Sequence, residues 1–151
     1  KIKFMPGTFG SLATTILLFY LFHTLNVSSN IILIGWIIIF IYSFYAVSTH
    51  TKGNKNKDPG EIIIDEFLGQ SIPIYLYEIS HGTIKESKEA IIYYVLFFIL
   101  FRYFDIMKPF PVSFFDKNFK NSFGVIMDDI CAGLYVVLTL VCFMIVKSYV
   151  L

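Results

Sequence analysis

The feature that most constrains this chain is the presence of acidic residues inside long apolar runs. Such runs fold as helices buried in protein or lipid, whereas an ionised carboxylate at the centre of a bilayer costs roughly 2.5 to 3.5 kcal/mol on insertion scales. Five of the eleven acidic residues lie in or beside the runs IIIDEFLG, FRYFDIMKPFP and VIMDDICAG: Asp65, Glu66, Asp105, Asp128 and Asp129. Left unpaired, they would cost on the order of 10 kcal/mol together, which is comparable to the stability of a whole domain. Something must compensate for their charge, and a divalent metal ion that handles phosphate is the leading candidate.

The composition is that of a membrane protein. Of the 151 residues, 56% are hydrophobic and only 15% are charged, whereas a soluble domain carries about 25% charged residues. The formal net charge is +1 and there is no basic block, which argues against nucleic-acid binding. The length suits a single domain over residues 1–151.

Apolar periodicity predicts an all-α fold, a multi-helix bundle with about five long and mostly membrane-embedded helices. The predicted helices cover 11–25, 31–49, 62–77, 90–107 and 125–151. The second and fifth are comfortably long enough to cross a bilayer. The first and third are short, and Pro73 is expected to kink the third, so full or partial crossing of 62–77 stays open.

Lysines are distributed unevenly among the predicted loops. They concentrate at the N-terminus and in the loops after the second and fourth helices: Lys1, Lys3, Lys52, Lys55, Lys57, Lys108, Lys117 and Lys120. If all five helices cross, these loops lie on one side, which the positive-inside rule makes cytoplasmic. The five acids then lie at cytoplasmic helix ends as well, near the depth of the phospholipid headgroups.

Two predicted helices begin with adjacent acids. Asp128 and Asp129 lie about 100° apart on a helix, so both can reach one facing partner, and Asp65 with Glu66 repeats this arrangement. Carboxylate oxygens are hard ligands that suit magnesium, which is typically shared between one or two carboxylates and a substrate phosphate. The alternative is that these acids only complement the dipoles of their helices.

Two further acids, Asp58 and Glu61 in DPGEIIIDE, are secondary candidates. Asp58 has a simpler explanation, because an Asp before Pro59 often caps a turn.

Arg102, Asp105 and Lys108 follow one another at intervals of three along the fourth predicted helix, before Pro109 ends it. An internal ion pair with long side chains that reach towards water would explain this spacing. A phosphatase site would use the same set. The acid would bind the metal or transfer a proton, and the two cations would stabilise the charge on the phosphoryl oxygens.

A glycine-containing segment opens the first predicted helix. Gly7 and Gly10 place Thr8 and Ser11 at a helix N-terminus, where free backbone N–H groups can bind phosphate. A hydroxyl that merely caps the helix is the alternative.

Taken together, PGTFGSL, DPGEIIIDEFLGQ, FRYFDIMKPFP and GVIMDDICAGLY resemble the motifs of the phosphatidylglycerophosphatase A family, in the same order and spacing. The resemblance implies an all-helical bundle that requires magnesium and hydrolyses phosphatidylglycerophosphate to phosphatidylglycerol and phosphate at the bacterial inner membrane. It also implies that the functional residues include Asp58, Asp65, Glu66, Asp105, Asp128, Asp129 and Lys108.

The predicted function is therefore a magnesium-dependent phosphatase that acts on a lipid phosphomonoester. Which acid serves as base, as nucleophile or as metal ligand stays open, and so does a covalent aspartyl-phosphate intermediate. A small cation transporter or channel would also place carboxylates among apolar helices, although it should distribute them along a pathway towards the midplane. A structural membrane subunit would need about as many buried cations as acids, and only Arg102 and Lys108 are near.

Overall fold

The computed structural model describes residues 6–53, 63–81, 87–119 and 121–150, and these ranges are all-helical with short connections. Asp58 and Glu61 lie outside the described residues. The helices are α1 (Pro6–Phe19), continued by a π-helical turn (Tyr20–Thr24), α2 (Ser29–Gly53), α3 (Ile64–His81), α4 (Ser87–Met107), α5 (Val112–Asn118) and α6 (Ser122–Val150). The predicted all-α bundle with about five long helices is confirmed.

Two boundaries differ from the prediction. The segment PGTFGS was expected to be a turn before the first helix, but it forms the first two turns of α1, which begins at Pro6. Proline is favoured at the first helical position because it lacks only an N–H that would have no partner there. The second difference is α5, whose seven residues were assigned to a loop.

Within the described ranges, three helices are long and apolar enough to cross a membrane: Ser29–Thr49 in α2, Lys88–Met107 in α4 and Ser122–Val146 in α6. The sequence prediction had named only the first and last of these as comfortably long. Most of their side chains face outwards, as expected for helices surrounded by lipid.

Helix α3 is less apolar because it lies inside the bundle, in contact with α1, α2, α4 and α6. Its polar side chains Gln70 and Ser71 are buried, and Gln70 Nε2 donates a hydrogen bond of 3.1 Å to Thr15 Oγ1 of α1. With 18 residues, α3 is about 27 Å long and extends from one end of the bundle towards the other. It remains a continuous helix through Pro73.

Helices α3 and α6 approach most closely where Gly69 faces Gly133. A Cβ on Gly133 would collide with the carbonyl oxygen of Gly69 and lie 3.1 Å from its carbonyl carbon. Pro73 lies four residues after Gly69 and has no N–H, so it cannot donate to this oxygen. The carbonyl is therefore free to face the Gly133 backbone, and the two glycines allow the helices to touch there.

A separate polar cluster lies at the other end of α3. Glu78 Oε1 is 3.1 Å from His23 Nε2 and accepts a hydrogen bond of 2.9 Å from the Tyr94 hydroxyl. Phe19 stacks on the His23 ring, with ring centroids 4.7 Å apart. This cluster fixes the π-helical turn to α3 and α4, at the end of α3 opposite to Asp65 and Glu66.

Candidate active site at one end of the bundle

The bundle brings the five acids of the sequence prediction to one end. Asp65 and Glu66 lie in the first turn of α3, Asp105 lies in the last turn of α4, and Asp128 and Asp129 lie two turns inside α6. Since α3 and α6 begin at the end where α4 finishes, acids that are distant in sequence face one another. Asp65, Asp128 and Asp129 are buried.

Glu66 is held against the N-terminal turns of α1. A Cβ on Gly7 would collide with Glu66 Oε1, and a Cβ on Gly10 would lie 2.9 Å from Glu66 Oε2 and 2.5 Å from Ile63 Cγ2. The two glycines therefore leave the space that the carboxylate occupies. Within the described part of the chain, Glu66 Oε2 is buried without a hydrogen-bond partner, which is costly for a polar atom unless a ligand satisfies it.

Arg102 lies beside this carboxylate. Its Nη1 atom is 2.6 Å from Asp105 Oδ2, one helical turn further along α4. A Cβ on Gly7 would lie 3.1 Å from the same nitrogen, so Arg102 and Glu66 converge at Gly7. Among the described residues, the buried atoms Nε and Nη1 of Arg102 have no partner with hydrogen-bond geometry, which leaves the guanidinium able to donate to an anion.

Lys108 connects the end of α4 to α6. It follows Met107, the last residue of α4, with a positive φ of 44°, and its N–H donates to the Phe104 carbonyl oxygen. A left-handed residue in this position is a common way to end a helix. The turn directs Nζ to Asp128 Oδ2 at 3.1 Å and to Asp116 Oδ1 at 2.6 Å. Asp116 belongs to α5 and was not among the predicted site residues.

Asp129 is placed by the contact between α3 and α6. A Cβ on Gly69 would collide with the Asp129 carbonyl oxygen and lie 2.8 Å from its carbonyl carbon. The Asp129 side chain is within electrostatic reach of Asp65 and Asp105. Its backbone N–H donates to Asp128 Oδ1 at 3.0 Å. Close helix contact thus forces acids of α3 and α6 to share one region.

The electrostatic cost of this grouping is visible at the start of α3, outside the three candidate membrane-crossing helices. Burial raises the pKa of Asp65 from 3.8 to about 7, with smaller contributions from the charges of Asp128 and Asp105, although backbone hydrogen bonds oppose the rise. Burial also raises the pKa of Glu66 from 4.5 to about 8, helped by the charge of Asp65 and opposed by that of Arg102. The site therefore disfavours full ionisation of its acids in the absence of further positive charge.

Lys108 behaves differently. Burial alone lowers the pKa of its ammonium group, but the hydrogen bonds and charges of Asp116 and Asp128 outweigh burial and raise the pKa. Lys108 therefore remains charged at neutral pH.

The donor set fits the chemistry of a magnesium ion. With Asp116, six carboxylates face two cations, Arg102 and Lys108, so a fully ionised site would carry four excess negative charges. Glu66 Oε2 adds a buried acceptor without a partner among the described residues. In that same part of the chain, no group of three or more His, Cys, Asp or Glu side chains is already arranged to hold one ion. This is compatible with magnesium, which usually takes one or two carboxylates and completes its shell with water and phosphate.

The predicted phosphate-binding residues differ in their surroundings. Arg102 and Lys108 lie at the site. Ser11 is completely buried and its hydroxyl donates to the Gly7 carbonyl oxygen at 2.8 Å, so this group already has a partner within α1. Thr8 is partly exposed near the start of α1, where the backbone N–H groups of the first turn have no helical acceptor.

Two contributions to this site could not be predicted from the sequence: the ion pair of Asp116, and the space that Gly7 and Gly10 leave for Glu66. Asp116 lies in FFDKN, where an acid between a Phe and a Lys is typical of any exposed turn. Gly7 and Gly10 were interpreted as part of a phosphate-binding segment, and the structure shows that they also make room for Glu66. Only the spacing of small residues at i and i+3 could have indicated a close helix contact.

Fold and site together define a helical membrane protein with a cluster of carboxylates at one end of the bundle. The model of the phosphatidylglycerophosphatase A family matches residues 1–144. A phosphatidylglycerophosphatase A from Haemophilus influenzae is 38% identical over 88% of this chain and 75% of its own length. The Escherichia coli K12 protein of the same name is 31% identical over 85% of this chain and 68% of its own. The chain belongs to the phosphatidylglycerophosphatase A family.

A third relative, from Bacteroides thetaiotaomicron, is 29% identical over 87% of this chain and 79% of its own length. It is provisionally named a phosphatidylinositol-3-phosphatase. No solved structure matches this chain.

Proposed function

We propose that this phosphatase hydrolyses the terminal phosphomonoester of phosphatidylglycerophosphate, in a magnesium-dependent reaction on the cytoplasmic side of a bacterial inner membrane. The products are phosphatidylglycerol and inorganic phosphate, and the role is in phospholipid biosynthesis. The named relatives support this substrate. The observation that carries the proposal is a pair of buried groups of opposite charge, Glu66 and Arg102. Within the described residues, Glu66 Oε2 has no hydrogen-bond partner and Arg102 Nε has none, while Arg102 Nη1 is ion-paired with Asp105 without hydrogen-bond geometry.

These two groups need different ligands. A carboxylate oxygen without a donor suits a metal ion, whereas guanidinium N–H groups without an acceptor suit a phosphate. A metal-bound phosphomonoester supplies both at once. The ion pair of Arg102 with Asp105 does not account for both groups, because it leaves Arg102 Nε and Glu66 Oε2 without partners among the described residues.

The residues of the chain then have separate tasks. Arg102 and Lys108 bind the phosphoryl oxygens and stabilise the charge that develops on them. From among Asp65, Glu66, Asp105, Asp128 and Asp129 would come the one or two carboxylates that hold magnesium, and the bound ion would neutralise the phosphate and polarise the P–O bond. Thr8 at the start of α1 is a further phosphate contact.

Proton transfer needs a carboxylate that is not occupied by a cation. Asp105 and Asp128 each pair with a cation, whereas Asp65, Glu66 and Asp129 form no ion pair within the described part of the chain. We assign one of these three, whichever does not bind magnesium, as the group that accepts the proton of the attacking water. The water oxygen forms the new P–O bond, the bond to the glycerol oxygen breaks, and the proton passes to that leaving oxygen.

The location of the acids also discriminates against a transporter. A conduction path would place carboxylates towards the middle of the bundle. Here they gather at the end where α3 and α6 begin, which is the end that the distribution of lysines makes cytoplasmic.

Purified protein should release inorganic phosphate from phosphatidylglycerophosphate, and a chelator should abolish the release until magnesium is restored. Asp65→Asn, Asp105→Asn and Asp128→Asn should each lose activity by orders of magnitude while they remain folded. Glu89→Gln, an exposed change near the start of α4 at the opposite end, is the matched control. Near-normal turnover in any two of the three site variants would refute the site.

A panel of lipid phosphomonoesters defines the headgroup specificity. It should include phosphatidic acid. It should also include phosphatidylinositol 3-phosphate, because one relative is named as a phosphatase of that lipid. We expect phosphatidylglycerophosphate to be the preferred substrate. Release from another lipid at a higher rate would correct the assigned substrate and leave the reaction type intact.

A further inference from the structure

We propose that α5 lies in the membrane interface and that an exposed phenylalanine surface inserts into the acyl chains of the leaflet next to the active site. This surface consists of Phe110, Phe114, Phe119 and Phe123. Their exposed fractions are 73%, 44%, 36% and 41%. Four large aromatic side chains open to water on one short segment indicate a partner.

The four rings form one continuous patch. The ring centroids of Phe110 and Phe114 are 6.2 Å apart, those of Phe114 and Phe119 are 6.0 Å apart, and those of Phe119 and Phe123 are 5.7 Å apart. Phe115 lies beneath them, packed against the hydrophobic core. The patch is therefore fixed to the bundle, and its outer face remains available to a partner.

The position of α5 in the chain identifies that partner as lipid. Helix α5 connects the end of α4 to the start of α6, and both neighbours are long and apolar enough to cross a membrane. Ile106 and Met107, just before the patch, are 61% and 62% exposed. The phenylalanine surface thus continues the apolar outer surface of α4, and the same lipid should cover both.

The composition of α5 favours an interfacial location over a deeply inserted one. Its seven residues extend only about 10 Å, far less than the hydrocarbon thickness of a bilayer. Asp116, Lys117 and Asn118 are exposed beside the phenylalanines. A segment with aromatic side chains on one side and charged side chains on the other suits the boundary between acyl chains and headgroups, where Lys117 can meet anionic lipid. A contact between two protein copies would leave these charges to be desolvated.

The same helix is connected to the site. Asp116 Oδ1 accepts a hydrogen bond of 2.6 Å from Lys108 Nζ, which also bonds Asp128 Oδ2. Insertion of the phenylalanine surface therefore sets the depth of Asp116 and, through it, the depth of the Lys108 cation relative to the headgroups.

Depth-dependent fluorescence quenching tests this location and needs no enzymatic activity. The chain has a single tryptophan, Trp36, so Trp36→Phe provides a silent background for Phe114→Trp. The protein is reconstituted in phosphatidylcholine vesicles whose acyl chains carry bromine either near the headgroup or near the chain end. We expect bromine near the headgroup to quench Phe114→Trp more strongly than bromine near the chain end.

Leu134→Trp in the same background is the matched control. Leu134 is 45% exposed and lies twelve residues beyond Ser122, at the centre of the candidate span Ser122–Val146 of α6, about 18 Å along the axis. This places it near the middle of the bilayer, so bromine near the chain end should quench it more strongly. Phe119→Trp reports on the same surface and replaces Phe114→Trp if that variant does not assemble.

Absence of quenching at both phenylalanine positions, with normal quenching of Leu134→Trp, would overturn the proposal. Quenching that disappears as the protein-to-lipid ratio rises would also overturn it, since it would show that a second copy covers the surface. Because neither outcome depends on phosphate release, failure here is distinct from failure of the proposed reaction.

Discussion

The contact between α3 and α6 sets the geometry of the acids, and Gly69→Ala tests this directly. The new Cβ would lie 2.8 Å from the carbonyl carbon of Asp129 and 2.7 Å from Cε2 of Phe101, and closer still to the Asp129 carbonyl oxygen. An ordinary van der Waals contact begins at 3.4 Å. The Asp129 contact concerns backbone, which cannot rotate away, and Phe101 is fully buried.

The magnitude follows from these distances. The new Cβ would lie 0.6 Å inside the 3.4 Å limit for the Asp129 carbonyl carbon. Because the carbonyl oxygen is nearer still, α3 and α6 would have to move apart by about 1 Å to relieve both contacts. A displacement of about 1 Å at a catalytic site typically costs about 10²-fold in rate. The crowding itself should cost about 1 to 3 kcal/mol in stability. We therefore expect activity to fall about 100-fold in a protein that is destabilised but folded.

Phosphate release from phosphatidylglycerophosphate measures the rate, and thermal unfolding in detergent measures the stability. Gly35→Ala is the matched control, because nothing lies within 4 Å of a Cβ at that position in α2. It removes a helical glycine without crowding and should leave both quantities nearly unchanged. If Gly69→Ala kept activity within about twofold of wild type, the close contact would not be what positions the acids.

Three further predictions concern the charges. Asp116→Asn should raise KM less than Lys108→Gln does, because it removes one ion-pair partner of the Lys108 ammonium group and leaves the ammonium group itself. Equal rises in KM would mean that Asp116 acts independently of Lys108. The metal-free protein should lose thermal stability as pH rises from about 5 to about 8. With folded pKa values of about 7 for Asp65 and about 8 for Glu66, against ordinary values of 3.8 and 4.5, the folded state retains protons that the unfolded state has released. A thermal midpoint that rises over this range would contradict the sign. Asp65→Asn should therefore unfold at a higher temperature than wild type in metal-free buffer at about pH 8, although it lacks activity. Calorimetry with added chelator measures this shift, and a lower unfolding temperature for the variant would contradict the reasoning.

The long helices could be predicted from the sequence because their signal is local. Apolar runs of about twenty residues indicate helices whatever their neighbours are, and the acids stood out against that background. The start of α1 was misplaced because glycines weaken helix propensity, and only the contact with Glu66 explains why two of them lie in the first turns. Helix α5 was missed because seven residues between prolines and polar residues carry too little periodicity.

Membrane crossing was harder to predict, because hydropathy alone does not distinguish lipid from protein as the surroundings of a helix. Helix α3 was considered too short and too polar for a confident crossing, and it is not among the three candidate membrane-crossing helices. Its polarity reflects contact with four other helices. Those contacts depend on residues of the other four helices, so the sequence of α3 and its flanking segments does not predict them.

The same contact explains why the acids are tolerated where they are. Pro73 leaves the Gly69 carbonyl without its helical donor, and Gly69 and Gly133 let the two backbones meet, so the packing of α3 against α6 is stabilised by contacts that involve no charge. Those contacts hold Asp65 and Asp129 near each other although burial and mutual repulsion oppose it. The backbone packing thus supplies the free energy that keeps the acids together before any ligand arrives. The proposed cation would then meet carboxylates whose proximity the fold has already imposed, which would favour its binding because little reorganisation remains.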